Sequence, residues 1–148
     1  MTEKTFVMLK PGVLQRRIAG ELLNRFERKG LKIVALKLLR MNRETAEVHY
    51  AEHRGRDFYE KLVEYTISGP VIAMVMEGEG AIAVVRGLTG PTNLLDAPAG
   101  TIRGDYAAQT RLNIVHASDS PGGAEREIAL FFRPEEFFPW EDGNRGWF

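Results

Sequence analysis

His116 ends the apolar run Asn113-Ile114-Val115-His116, and small or polar residues follow it: Ala117, Ser118 and Asp119, then Ser120-Pro121-Gly122-Gly123. At the end of a strand, with short neighbours, such a ring can face a cleft. A neutral imidazole has a reference pKa of about 6.5, so at neutral pH most of it is unprotonated and able to accept a phosphoryl group covalently. Taken alone, the same feature is more often a structural histidine. Lys10, Arg86 and Arg103 come from three separate segments, each ending or flanking an element. Together they could clamp a triphosphate; singly, each reads more readily as a solvated surface charge. Glu127 follows on a helical stretch beside the Ala124/Ile128/Phe131 stripe. There a carboxylate could orient the ring or fix its tautomer, or be one more solvent-facing glutamate. Phe58 and Leu62 stand one helical turn apart and suit an apolar clamp on a nucleobase, although that spacing is more often core.

Other devices for this chemistry are missing. The chain has no G-x-x-x-x-G-K-[ST] loop and no H-R-D or D-F-G set. His49 and His53 have the spacing of a helical zinc pair, but the intervening residues read H-Y-A-E-H, without the glutamate that follows the first histidine of H-E-x-x-H. No side-chain metal site is expected. Cysteine is absent, which removes disulfides, thiolate catalysis and cysteine-ligated metals.

The composition limits the partners. Twenty basic residues balance twenty acidic ones, so no overall field exists to hold nucleic acid or an anionic membrane, and an anion site must be local. The longest uncharged run, Tyr65 to Met76, is interrupted by Ser68-Gly69-Pro70 and falls far short of the ~20 apolar residues that span a bilayer. Charges at Glu3, Lys4, Lys10, Arg16 and Arg17 break any secretory signal. A soluble, cytoplasmic protein is expected, folded as a single domain over residues 1–148.

The elements that must position these groups follow from hydrophobic period. Thr5 to Leu9 predicts a strand stopped by Lys10-Pro11-Gly12. Ile18, Leu22, Leu23 and Phe26, followed by Gly30, predict a helix. Leu31 to Met41 predicts a second strand, and Asn42 caps a helix containing Thr45 to His53. Phe58, Leu62 and Tyr65 predict a short helix, Val71 to Met76 a central strand, and Ala81, Val84, Val85 and Leu88 a helix that carries Arg86 on its flank. The glycine- and proline-containing stretch from Gly90 to Asp105 reads as the one long irregular loop and the main candidate for binding. Asn113 to His116 predicts the last strand, and Ala124, Ile128, Phe131 and Phe132 the last helix. The order is α+β, a ferredoxin-like βαββαβ plan: a four-stranded antiparallel sheet, helices on one face, and an added irregular loop.

Asn113 to Asp119 matches N-x-x-H-[GA]-S-D, the signature of the nucleoside diphosphate kinases. Further similar segments run in order along nearly the whole chain: T-F-V-M-L-K-P from Thr5, H-Y-A-E from His49, S-G-P-V-I-A-M-V from Ser68, G-T-I-R-G-D-Y from Gly100 and E-I-A-L-F-F-R-P-E-E from Glu127. On these segments the chain resembles that family. The resemblance implies reversible, ping-pong transfer of a terminal phosphate from a nucleoside triphosphate, ATP included, to a nucleoside diphosphate. His116 would be the nucleophile, supported by Ser118 and Glu127. Arg86, Thr92 and Arg103 would hold the phosphates, Lys10 and Asn113 the ribose hydroxyls and reacting phosphate, Tyr50 would line the site, and Phe58 and Leu62 would sandwich the base. Mg2+ is implied as cofactor, carried mainly by nucleotide phosphates. A homo-oligomer is also implied, a tetramer or hexamer built from dimers.

Two departures from the family pattern stand out: Gly12-Val13-Leu14 where D-G-V is common, and Leu94 where proline is frequent. They motivate a rival reading, a binding or regulatory protein that has lost catalysis, against which stands the retention of all the named site residues. An RNA-binding domain shares the βαββαβ plan, but the aromatic strand motifs and basic charge it needs are absent, so no dedicated nucleic-acid binding is expected.

Overall fold

The computed structural model describes residues 2–148. Four strands form one antiparallel sheet in the order β2-β3-β1-β4: β1 (Thr2–Leu9), β2 (Lys32–Leu39), β3 (Val71–Glu79) and β4 (Val115–Ala117). Each outer strand pairs with an inner one, and Met8 lies opposite His116. The helices are α1 (Ala19–Arg28), α2 (Arg43–His49), α3 (Tyr59–Ile67), α4 (Ala81–Thr89), α5 (Ile102–Tyr106) and α6 (Pro121–Phe131). The βαββαβ plan is thus present, with α1 and α4 as its two crossover helices and, among the described residues, four further α-helices added.

Successive side chains of a strand point to opposite faces, so a strand apolar at every position needs cover on both. In β1, Val7 and Leu9 pack with Leu22 and Phe26 of α1 and Val85 of α4. Phe6 and Met8 face the other way, against Ala46 of α2, Val63 of α3 and Phe131 of α6. All four β1 side chains are essentially fully buried, each worth about 1.5–3 kcal/mol of transfer free energy. Helices therefore cover both faces, not one as the βαββαβ plan alone suggested. The continuous apolar runs of β1 and β3 required this, because a solvated face would have left alternate polar positions.

Four boundaries also differ from expectation. The Thr45–His53 helix is two pieces, α2 and a single 3-10 turn at Ala51–His53, with Tyr50 at the junction. Asn42 caps α2 as expected, its side chain accepting from the Thr45 N–H. The Gly90–Asp105 loop is partly ordered by a 3-10 turn at Leu94–Asp96 and by α5, so Arg103 sits on a helix. The Ser120-Pro121-Gly122-Gly123 stretch is the start of α6: the Ser120 hydroxyl accepts from the Gly123 N–H, and Pro121 occupies the first turn, where its missing donor costs nothing. The last strand is only three residues long because the chain kinks at Ile114.

Candidate active site

Ile114 has φ of +59°, a left-handed conformation that a β-branched side chain adopts only at a cost of about 1–3 kcal/mol. The Val115 N–H closes a tight turn onto the Asn113 carbonyl at 2.7 Å. Three things hold the kink. The Ile114 side chain is buried in the core beneath α1 and α4, its carbonyl accepts from the Lys10 N–H at 2.9 Å, and Arg103 spans the bend. Arg103 donates from Nε to Asn113 O at 3.3 Å, from Nη2 to Val115 O at 2.6 Å and from Nη1 to Gly90 O at 2.6 Å. The kink brings the Asn113 side chain to Lys10 immediately before β4 begins.

Beyond the kink, His116 is held from α6. Its Nε2 lies 2.7 Å from Glu127 Oε2, and the Ser118 hydroxyl donates to Glu127 Oε1 at 2.5 Å. Burial pushes the Glu127 carboxyl up, but the hydrogen bond and charge of His116, the Ser118 hydroxyl and His49 outweigh it, so the group titrates below its ordinary value. An ionised carboxylate can only accept, so Nε2 carries the proton and Nδ1 keeps the lone pair. Burial lowers the His116 pKa; Glu127 opposes this, while Lys10 and Arg103 reinforce it. The ring is therefore neutral at physiological pH, and part of its side chain remains open to solvent.

Around this pair sit three cations and two phenols. Lys10 donates from Nζ to Asn113 Oδ1 at 2.7 Å, between the rings of Tyr50 and Tyr65, whose centroids are 5.9 and 5.8 Å away. Burial, then the charge of Arg103, brings its pKa down to about 7. Burial, then the charge of Arg86, lowers Arg103 to about 10, leaving it cationic. Arg86 reaches from the exposed flank of α4 to the Ala117 carbonyl at 3.4 Å. Tyr50 is buried, its ring centroid 6.5 Å from that of His116, and burial raises its phenol well above the usual value.

The fold thus brings Lys10, Tyr50, Arg86, Arg103, Asn113, His116, Ser118 and Glu127 to one end of β4. The remaining candidates lie further out. Phe58 precedes α3, is 40% exposed, and meets the His53 ring at 5.3 Å between centroids. Leu62 is half-buried against the core beneath α2, α3 and α6. Thr92 is exposed between α4 and the Leu94–Asp96 turn.

Sequence reasoning weighed His49 only as half of a zinc pair with His53. It is instead buried at the end of α2, its ring edge-on to His116 with centroids 4.5 Å apart and its Nδ1 3.7 Å from Glu127 Oε2. Its neighbour Tyr50 was the available signal, since consecutive residues at a helix end can both face one site. Neither ring nitrogen of His49 has a hydrogen-bond partner. Burial and the charge of His116 hold its pKa down at about 3, so it is neutral.

Known proteins resemble the chain over almost its whole length. A family model described as nucleoside diphosphate kinase matches residues 3–137. A nucleoside diphosphate kinase from Treponema pallidum is 58% identical over 146 residues, covering 99% of this chain and 98% of the relative. One from Archaeoglobus fulgidus is 57% identical, covering 98% and 96%. Among solved structures, the halophilic nucleoside diphosphate kinase from Halobacterium salinarum in complex with CDP superposes with a TM-score of 0.96 at 46% identity, covering 99% of this chain and 98% of that one.

Proposed function

Since the chain belongs to the nucleoside diphosphate kinase family, we propose that its reaction, reversible transfer of the terminal phosphate from a nucleoside triphosphate to a nucleoside diphosphate, runs through a phosphohistidine on Nδ1 of His116. The observation that carries this is the engagement of Nε2 by Glu127 at 2.7 Å, which leaves Nδ1 as the free nucleophilic nitrogen.

The Nδ1 lone pair attacks the terminal phosphorus; an N–P bond forms, the bridging O–P bond breaks, and the nucleoside diphosphate leaves with the bond's electron pair. The ring, still holding its Nε2 proton, gains positive charge, which the Glu127 carboxylate offsets. Ser118 keeps that carboxylate in place. A second diphosphate reverses the same step, so donor and acceptor share one site and the order is ping-pong. Lys10, Arg86 and Arg103 counter the phosphate charges, with Thr92 and Asn113 as neutral donors and Tyr50 as a wall. Phe58 and Leu62 hold the base by apolar contact, which tolerates purines and pyrimidines alike because no base edge is read.

Mg2+ is the implied cofactor. Among the described residues the one cluster of three possible metal ligands is His49, His116 and Glu127, two imidazoles and a carboxylate. That set does not suit an ion that prefers six oxygens, whereas nucleotide phosphates and water do, so the nucleotide carries the ion. When bound, it neutralises phosphate charge.

Residues 1–148 act as one kinase domain. Among the described residues no helix is long and apolar enough to cross a membrane; a cytoplasmic site is the reading consistent with ATP as donor. Assembly into a homo-oligomer built from dimers is supported by β2, an edge strand that exposes Leu36 and Leu38.

The test is direct. Incubation with γ-labelled ATP and magnesium should give an acid-labile phosphoenzyme, and GDP added next should yield labelled GTP; His116→Ala should do neither while melting like the parent. Transfer that survives in His116→Ala would overturn the reading.

A further inference from the structure

His49 is the unexplained group of this pocket: 2% exposed, both nitrogens unpartnered, one of them 3.7 Å from a carboxylate oxygen that already holds the other imidazole. Burying an imidazole without a hydrogen bond costs free energy, so the arrangement calls for a partner. The donor atoms of His49, His116 and Glu127 all lie within 4.8 Å of one another. A four-coordinate zinc site has bonds of about 2.0–2.2 Å and hence donors about 3.3 Å apart. The His116 Nε2 to Glu127 Oε2 separation of 2.7 Å would open by about half an ångström to reach that spacing, the His49 Nδ1 to Oε2 separation of 3.7 Å would close by about as much, and the two imidazoles, whose donor atoms lie within 4.8 Å, would approach by up to about 1.5 Å. Ser118 already supplies the outer hydrogen bond that orients a ligating carboxylate.

We propose that His49, His116 and Glu127 form an inhibitory site for a borderline divalent transition metal, Zn2+ being the type, with water in the fourth position. The metal takes the place of the proton shared by His116 Nε2 and Glu127, and that proton moves by way of water to Nδ1, so the ring ligates as a neutral imidazole. It enters past His116, the one ligand partly open to solvent. Two imidazoles select against Mg2+, so the ion that accompanies the nucleotide does not compete. With the metal at Nε2 and the proton on Nδ1, the ring has no lone pair left to attack phosphorus. The inhibitory consequence rests on His116 being the phosphoryl acceptor; the metal site itself does not.

Cobalt tests the site without turnover, because four-coordinate Co2+ absorbs visible light far more strongly than the aqueous ion. Titration of the metal-free protein should give a band that saturates at one equivalent, persists in millimolar Mg2+ and is displaced by Zn2+. His49→Gln should lose the band, and His53→Gln should keep it. In the ATP–GDP assay, His49→Gln, measured against its own zinc-free rate, should need at least about tenfold more Zn2+ for half-inhibition. Should His49→Gln misfold, histidine-labelled NMR of the wild type decides: Zn2+ should shift both the His49 and His116 ring signals. No saturable cobalt band, unchanged zinc sensitivity in folded His49→Gln, or ring shifts confined to His53 would overturn the site. Absence of transfer in the zinc-free assay would overturn the kinase reading alone.

Discussion

The floor of the pocket and its mouth are built differently. At the floor, His49 apart, the polar groups are held by fixed partners: Glu127 bridges His116 and Ser118, Asn113 holds Lys10, and Arg103 is tied to three carbonyls. At the mouth, Phe58 and Thr92 are exposed. Bond making needs positions fixed to a fraction of an ångström, and burial supplies that fixity. Taking in any of several nucleobases needs tolerance, which exposed apolar contact supplies. If this division is correct, substitutions at the floor should lower kcat, and those at the mouth should raise KM.

The largest effect is expected at the floor. Glu127→Gln keeps the shape of the side chain but removes the charge that offsets the phosphorylated ring, and the rate of phosphoenzyme formation in rapid-quench experiments should fall by about 100-fold. An equal rise in KM with kcat unchanged would erase the distinction between the regions. At the mouth, Phe58→Ala should raise KM about tenfold for ATP, GTP and CTP alike with little change in kcat, since stacking is worth roughly 1–3 kcal/mol per base. A penalty confined to one base would mean that its edge is read after all.

Lys10 sharpens the contrast, because its pKa of about 7 makes the floor sensitive to pH. A lysine is charged below its pKa, so phosphate affinity from this group is full well below pH 7 and declines above it. The affinity of the empty enzyme for nucleotide should weaken about fivefold from pH 7 to pH 8, in proportion to the protonated fraction. Binding at pH 8 should also take up close to one proton, visible by calorimetry in buffers of different ionisation enthalpy; no uptake would mean Lys10 is not at the phosphates. The smallest effect belongs to Thr92→Ala, about threefold in KM, the worth of one neutral hydrogen bond at an exposed position.

Much of the frame was legible because it rests on local signals. Asn42 announced its cap, Gly30 the end of α1, and the apolar run of β3 its inner place in the sheet. The cover on the second face was written in the apolar runs of β1 and β3, yet the βαββαβ plan drew attention to one face only. At the site, the residues carrying the N-x-x-H-[GA]-S-D signature and the separate cations were legible as types, and the structure brings Lys10, Arg86, Arg103, Asn113, His116, Ser118 and Glu127 together. Two features were not. The kink at Ile114 violates the residue's own preference, and propensity cannot reveal a conformation imposed by a buried side chain and an arginine. His49 was obscured by its proximity to His53, since helical spacing spoke for a pair that the end of α2 separates.

The anchoring of Arg103 has a consequence for how fast and how tightly an anion is met. A long cationic side chain free in water loses up to about 2 kcal/mol of rotamer entropy when a ligand immobilises it. Here folding has already immobilised it, because the carbonyls of Gly90, Asn113 and Val115 fix the guanidinium before any nucleotide arrives. Two of its five N–H groups take no part in these bonds, so a phosphate that docked on them, as proposed, would incur almost no ordering penalty.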